Sequence, residues 1–458
     1  MYLCNLFATK KMLIVYTPRL TNRIGYTLQI VLGNVLHTPF EITTSEETFL
    51  TYQGAKICYG PKRICEDAVW IKSSKLLFES SIEDKELGIS DWEDTKILFP
   101  VYGQDLDFPF DLLAATFFLV TRYEEYLPHR TDVHGRFMAS ESVGYQHGFL
   151  DQPIVDIWVD KLSRKIAEKP PDWIDSRSGF DLLTTIDIDA AYCYKRKGFA
   201  RTCTGIVKDL IRDKSTQAIA ERLSCIRGKK QDPFDTFDYI IETNQKHKGS
   251  QLIFFALLAE YGLFDKNISY HDIEFTETLR HLADYAKVGI HTSYASFKKP
   301  ELIDKERARL HDILHHNIVR NRSHFLLLSL PFTYRELIRA GISHDYTMGY
   351  AEALGFRAGI SVPFPFYDLI SNSETSLIVH PFAIMDTTLR RYLKLSPEEG
   401  WAACRKIMDN TAKVQGSFSS IYHNENLSEQ FGWEGWRMVF ENMLEYANTL
   451  KTNKKTKQ

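Results

Sequence analysis

The spacing of apolar residues along the chain changes character near residue 170. Before it, short apolar runs alternate with amphipathic stretches. MLIVYTP, from Met12, has a strand pattern, and Asn22 to Leu36 follows as an amphipathic stretch. AKICYG, SKLLFES and TKILFPVYG are spaced like the strands of a small mixed sheet. FDLLAATFFLVTRYEEYLP predicts a buried helix stopped by Pro128. The polar, glycine-bearing segment RTDVHGRFMASESVGYQHGFLDQP predicts a long ordered loop. IVDIWVDKLSRKIAE then places Ile154, Ile157, Trp158 and Leu162 on one helix face. Pro170 and Pro171 mark a boundary. Lys169 to Ser178 contains two prolines and Trp173 rather than a Gly/Ser run, which predicts firm packing of the two parts rather than a swinging linker.

After Pro171 the pattern becomes strand, helix, strand, helix. The strand candidates are LLTTID, SQLIFFALLA, KVGIHT, HFLLLSL, GFRAGIS, SLIVHPFAIMD and GSFSSIYH. Helical stretches lie between them, including DIEFTETLRHLADYA, PELIDKERARLHDILHH, TYRELIRAG and SPEEGWAACRKIMDNTAKV, with a last one near Trp433 to Thr449. Such alternation means a parallel sheet with helices outside. The expectation is an α/β protein, a closed or nearly closed (β/α)7-type barrel preceded by a smaller α+β N-terminal domain. The expected boundaries are 1–172, 173–452 and a disordered tail, 453–458, whose lysines are a solvated end. Met12 directly precedes a good strand, so residues 1–11 are expected to be a frayed start or one assigned too early.

Composition narrows the class. A chain of 458 residues is too long for one ordinary core. Hydrophobic content of 44% and charged content of 25% are those of a soluble globular protein. A net charge of −3 gives no electrostatic case for nucleic acid or an anionic membrane. The seven cysteines have no C-x-x-C spacing, which argues against a zinc knuckle or disulfide framework and fits a reducing, cytoplasmic compartment. MYLCNLFATKKMLIVY lacks the ordered regions of a signal peptide, and LLAATFFLV is far short of the ~20 residues of a membrane span.

In a parallel barrel, chemistry sits at the C-terminal ends of the strands. DLLTTIDIDAAY ends an apolar run with Asp187 and Asp189, which share one face of a strand and could converge on one metal. One of them could instead stay free as a base. KVGIHTSYAS supplies His291 with Thr292 and Ser293; SLIVHPFAIMD supplies His380 and Asp386; GSFSSIYHNENLS supplies His423 and Asn424. Carboxylate plus imidazole is a first shell for zinc or another divalent ion, and a separate histidine and aspartate could act as acid and base.

These segments resemble the motifs of the polysaccharide deacetylase superfamily, the family-four carbohydrate esterases with a NodB-type domain. TTIDIDAAY resembles the family's aspartate pair, with one extra residue between the acids. The resemblance makes Asp187 the base and Asp189 a metal ligand. HTSYAS matches the first half of a His-Ser/Thr-x-x-His run, giving His291 as a ligand, but Ala295 stands where the second histidine belongs. Ser296, Tyr294 or a residue from another strand would have to substitute. NRSHF, with Arg322 and His324, and GFRAG, with Arg357, are candidates for the arginine-centred run on the cleft wall. Arg322, His324, Arg357 and Ser293 are therefore expected to bind substrate. Asp386 in AIMD is the orienting acid, and His423 the general acid, with His380 its competitor. DLLAATFFLVTRYEEYLP, HGRFMASES and GFLDQPIVD resemble an uncharacterised N-terminal domain that precedes divergent deacetylase-like barrels in Bacteroidetes-type bacteria.

The resemblance implies a hydrolase: a metal-dependent deacetylase, with zinc as the expected ion, removing N- or O-acetyl groups from a polysaccharide or cell-envelope sugar. Its partner would be a carbohydrate, with no nucleic acid and no membrane span. The alternative is a non-catalytic carbohydrate-binding barrel that has lost its metal, which the missing histidine favours. A glycosyltransferase is the third reading, since Asp-x-Asp after an apolar strand also describes a nucleotide-sugar metal site. No glycine-rich phosphate loop precedes these acids.

Overall fold

The computed structural model describes residues 12–169, 173, 175–177, 179–198, 216–247 and 250–455. The expected frayed start (1–11), the expected boundary at 170–172 and residues 456–458 of the expected tail lie outside the described residues. The remainder of that tail continues the last helix, Trp436–Lys455. Among the described residues, no helix is long and apolar enough to cross a membrane.

The N-terminal part is built on four strands, β1 (Leu13–Tyr16), β2 (Phe40–Thr43), β3 (Lys56–Gly60) and β4 (Val69–Lys72). They form a sheet in the order β2-β1-β3-β4 that is parallel throughout, not mixed as its pattern predicts. SKLLFES is not a strand. Leu76 and Leu77 are both buried, but they form a single 3-10 turn. TKILFPVYG contributes only β6 (Thr95–Ile97), antiparallel to β5 (Ser90–Trp92), because Phe99 takes a φ of +57° and turns the chain. The helix Leu112–Val120 is buried on every side and capped by Asp111, whose carboxylate accepts from the Ala114 N–H at 2.9 Å. It ends where Arg122 enters the left-handed region, before Pro128 is reached.

The C-terminal part holds the large sheet. Its strands are β7 (Asp181–Ile188), β8 (Ser250–Leu257), β9 (Lys287–Thr292), β10 (Arg320–Ser323), β11 (His344–Asp345), β12 (Phe364–Asp368), β13 (Ser373–Val379), β14 (Ile384–Met385) and β15 (Ser417–His423). The order is β12-β13-β11-β10-β9-β8-β7-β15-β14. Every pairing is parallel except β12 with β13. Strand pairing therefore gives a nine-stranded sheet with β12 and β14 at its edges, rather than a closed seven-stranded barrel. HFLLLSL is displaced by one element: the strand is the preceding Arg320–Ser323, and Phe325 and Leu326, at φ +60° and +56°, turn the chain immediately after it. GFRAGIS is a turn, with Gly355 at φ +116° packed against the Leu150 carbonyl. SLIVHPFAIMD divides into β13 and β14 around Pro381.

The two parts share buried polar contacts. The Tyr26 hydroxyl donates to the Pro365 carbonyl at 2.8 Å, on edge strand β12. Glu125 lies between two arginines, accepting from Arg122 Nε at 2.7 Å and from Arg357 Nη2 at 2.6 Å. All three are nearly inaccessible to water. Burial favours a neutral Glu125, but Arg357 and Arg122 hold its pKa at about 2. Removing one member of such a group leaves a buried charge uncompensated, which costs about 3–5 kcal/mol.

Candidate active site

The register of the sheet assembles the site. Asp187 on β7 pairs with His423 on β15 and with Phe255 on β8, which pairs in turn with Gly289 on β9. His291, two residues beyond Gly289, thus stands level with Asp189. Their side chains line a cavity of about 300 Å³ together with His324, His423, Glu425, Asn426, Arg136, Phe325 and Tyr392.

Asp189 is the focus. Its Oδ1 lies 3.2 Å from His291 Nε2, and its Oδ2 lies 3.3 Å from His324 Nε2 and 3.9 Å from His423 Nε2. Burial acts to raise its pKa, but the imidazoles around it, His324 foremost, hold the carboxylate well below its usual range. Asp189, His291 and His324 each offer one ligand atom, all within 4.8 Å of one another. The far nitrogens of both rings are committed elsewhere. His291 Nδ1 donates to the Arg322 carbonyl at 2.8 Å, and His324 Nδ1 lies 2.8 Å from Asp265 Oδ1. Asp265 is anchored by the Tyr294 N–H at 2.8 Å. This fixes both imidazoles with Nε2 toward Asp189, the outer-shell arrangement usual for metal-binding histidines. Asp187 Oδ1 is buried without a hydrogen-bond partner among the described residues, while Asp189 Oδ1 has only its ion-pair contact to His291. Two imidazoles, the Asp189 carboxylate and an unpartnered Asp187 oxygen nearby fit a divalent ion such as zinc with an open position. Burial opposes a charge on His324, yet Asp189 and Asp265 raise its pKa to about 9.

Asp187 is 2% exposed, with Arg322 Nη1 and His291 Nε2 each 3.8 Å from its Oδ2. Arg322 is completely buried beneath it. Its guanidinium donates to Thr185 Oγ1 at 2.8 Å and is sandwiched by the rings of Phe255 and Phe382, at 5.2 and 5.3 Å. Two glycines make room for those rings. A Cβ on Gly289 would come within 2.7 Å of Phe255, and one on Gly349 within 2.3 Å of Phe382. Burial pushes the Arg322 pKa down, and Asp187 is the main group holding its charge.

His423 faces the same cavity. Its Nδ1 lies 2.8 Å from Asp386 Oδ1, and its backbone N–H donates to Asp386 Oδ2 at 2.8 Å. Asn426 Nδ2 also donates to Asp386 Oδ2, at 2.9 Å. Burial disfavours the imidazolium, but Asp386 holds its pKa well above the usual value.

The structure thus brings Asp187, Asp189, His291, His324, His423 and Asp386 together. It corrects four placements. His324 faces Asp189 as a candidate ligand, from the strand next to His291, so the imidazole absent at Ala295 has a spatial replacement. Arg322 lies under the floor, not on the cleft wall. Arg357 is in the buried group with Glu125, because a guanidinium 3% exposed needs a carboxylate more than a solvent-facing groove. Ser293 donates its N–H to Glu306 at 2.9 Å and lines a separate, neighbouring cavity. Tyr294 and Ser296 bind His134 and the Ser293 carbonyl, not the cluster. His380 is outside the cavity, 3.0 Å from His344 and stacked on Tyr346. Sequence reasoning missed Asp265, Glu425, Asn426 and Arg136. Glu425 and Asn426 were within reach, in the NENLS that follows His423; Glu425 is half-buried, and desolvation together with the nearby Asp189 charge pushes its pKa up to about 8.

Residues 13–171 match a family of unknown function (DUF7033). No curated protein matches the chain. Among solved structures, a probable polysaccharide deacetylase from Pseudomonas aeruginosa PAO1 aligns at 12% identity over 59% of this chain and 85% of that one, with a TM-score of 0.38. The polysaccharide deacetylase Bc1974 from Bacillus cereus aligns at 11% identity over 58% and 87%, with a TM-score of 0.30. A mutant of BA3943, a CE4 family pseudoenzyme with restored enzymatic activity, aligns at 10% identity over 59% and 64%, with a TM-score of 0.27.

Proposed function

We propose that this cavity is the active site of a metal-dependent deacetylase that removes an N- or O-acetyl group from a carbohydrate. One observation carries the reading. A three-donor cluster, Asp189, His291 and His324, shares a cavity with a second carboxylate, Asp187, and with a carboxylate-held imidazole, His423. Asp189, His291 and His324 would hold the divalent ion, which would supply Lewis-acid chemistry for the acetyl carbonyl and the attacking water.

The chain's own groups supply the rest. Asp187 lines the cavity, has one oxygen without a hydrogen-bond partner, and accepts the proton of the attacking water. Arg322 Nη1, 3.8 Å from Asp187 Oδ2, places a positive charge directly beneath the base. His423, kept protonated by Asp386, delivers a proton to the departing amine or alkoxide. The rim suits a sugar. Phe325 and Tyr392 offer faces for its C–H surface, while Thr387, Asn426 and Arg391 offer partners for its hydroxyls.

The test is metal analysis of the purified protein combined with acetate release from acetylated oligosaccharides. The reading expects about one divalent ion per chain, acetate release abolished by a chelator, and its restoration by zinc. Protein loaded with metal that releases no acetate from either N- or O-acetylated sugars would overturn it.

A further inference from the structure

The cavity is not built by the large sheet alone. One wall comes from the segment 13–171, through a loop that runs from Thr131 to Phe137 and is closed by an antiparallel bridge between those two residues. The loop is braced from within. Asp132 accepts the backbone N–H groups of His134 and Arg136 at 2.9 and 3.0 Å and pairs with the Arg136 guanidinium at 2.6 Å. Its base is pinned by Phe137, whose ring lies under the guanidinium groups of Arg122 and Arg357.

From this loop two side chains reach the turn that carries His324. Arg136 Nη1 donates to the Phe325 carbonyl at 2.9 Å, and its Nη2 donates to the Tyr392 hydroxyl at 3.3 Å. The His134 ring packs edge-on against Phe325 at 5.1 Å, and its Nδ1 lies 3.2 Å from the Tyr294 hydroxyl. Tyr294 is the residue whose N–H anchors Asp265, the partner of His324 Nδ1. Phe325 and Leu326 both hold left-handed backbone conformations, which non-glycine residues keep only when their surroundings impose them. Arg136 bonds the carbonyl at that point.

We propose that the Thr131–Phe137 loop is a working part of the site, in which Arg136 is a positioning residue that fixes the His324–Phe325 turn and so aims His324 Nε2 at Asp189, with His134 as a second brace through Tyr294. This assigns a role to the segment that matches a family of unknown function: it completes the cavity and holds one of its imidazoles. The metal arm of the proposal rests on the function proposed above; the placement of the His324 ring does not.

The experiment uses the full chain with isotope-labelled histidine. In metal-free protein, R136A should shift the His324 ring resonances and leave those of His344 and His380 in place. R136K, which keeps one donor for the Phe325 carbonyl, should return them most of the way. In a competition with a chromogenic chelator, R136A should weaken zinc binding by ~10–100-fold, and R136K by less. A folded R136A with unchanged His324 resonances overturns the proposal. Should R136A not fold, Y294F decides: it removes the hydroxyl facing His134 and should shift the same resonances, and unshifted signals overturn the proposal. Wild-type protein that takes up no zinc would refute the proposed function instead, and the metal-free spectra would still judge the loop.

Discussion

His423 and Asp386 meet twice: the imidazole Nδ1 lies 2.8 Å from one carboxylate oxygen, and the His423 backbone N–H donates to the other at 2.8 Å. The pair is therefore locked in orientation as well as charge. H423A is expected to lower acetate release by ~10²–10⁴-fold with zinc content unchanged. D386N should act through His423. Without the carboxylate the imidazolium loses its proton at lower pH, so the alkaline limb of the pH–rate profile moves down. A profile of D386N that keeps the wild-type alkaline limb would separate the two residues.

His324 and Ser293 offer a paired test of the site's boundary. H324A removes one of three candidate donors, and zinc affinity is expected to fall by at least ~10–100-fold. S293A should leave zinc affinity and acetate release unchanged, since Ser293 faces the neighbouring cavity. Isothermal titration of both variants checks this, and a larger effect in S293A would reverse the assignment.

The buried arginine–glutamate–arginine group predicts a stability effect at a residue whose sequence context resembles a substrate contact. R357A and E125A are each expected to cost about 3–5 kcal/mol in urea unfolding. Glu125 is depressed from 4.5 to about 2, so its contribution is present above pH ~4.5 and is lost as pH falls through about 2. Loss of substrate affinity in R357A at unchanged stability would return Arg357 to the cleft.

Glu306 makes a prediction of the opposite sign. Burial raises its pKa from 4.5 to about 7, against the opposing hydrogen bonds from Ser293. Because the folded value lies above the unfolded one, its contribution is fully present below pH ~4.5 and is lost as pH rises through about 7. E306Q keeps an acceptor for the Ser293 N–H and removes the titration. Relative to wild type it should gain up to about 3 kcal/mol between pH 4.5 and 8. Thermal unfolding across that range checks it, and a flat difference would contradict it.

Much of this arrangement was legible in the sequence where one strand carries its own chemistry. Asp187 and Asp189 follow an apolar run on β7, and His423 ends β15, so strand-end reasoning placed both. It failed where the signal is spatial. His324 belongs to no spacing motif with His291; only the pairing of β9 with β10 brings the rings together. Arg357 resembled a cleft arginine because its partner, Glu125, is over two hundred residues away in sequence. Arg136 was invisible for the same reason, being set in a polar loop that signals nothing until it is packed on the Phe325 turn. HFLLLSL resembles a strand by apolarity alone, and the left-handed residues that break it leave no compositional trace.

The position of β15 between β7 and β14 bears on how the chain comes to be made. β7 carries Asp187 and leads directly into Asp189, and one of its two edges stays unpaired until residues 417–423 exist. During synthesis, more than two hundred residues must emerge after β7 before that edge is covered. The same late strand delivers His423. A nascent or prematurely ended chain thus lacks β7's second neighbour and His423 together, so incomplete product would present an open strand edge rather than a partly assembled site.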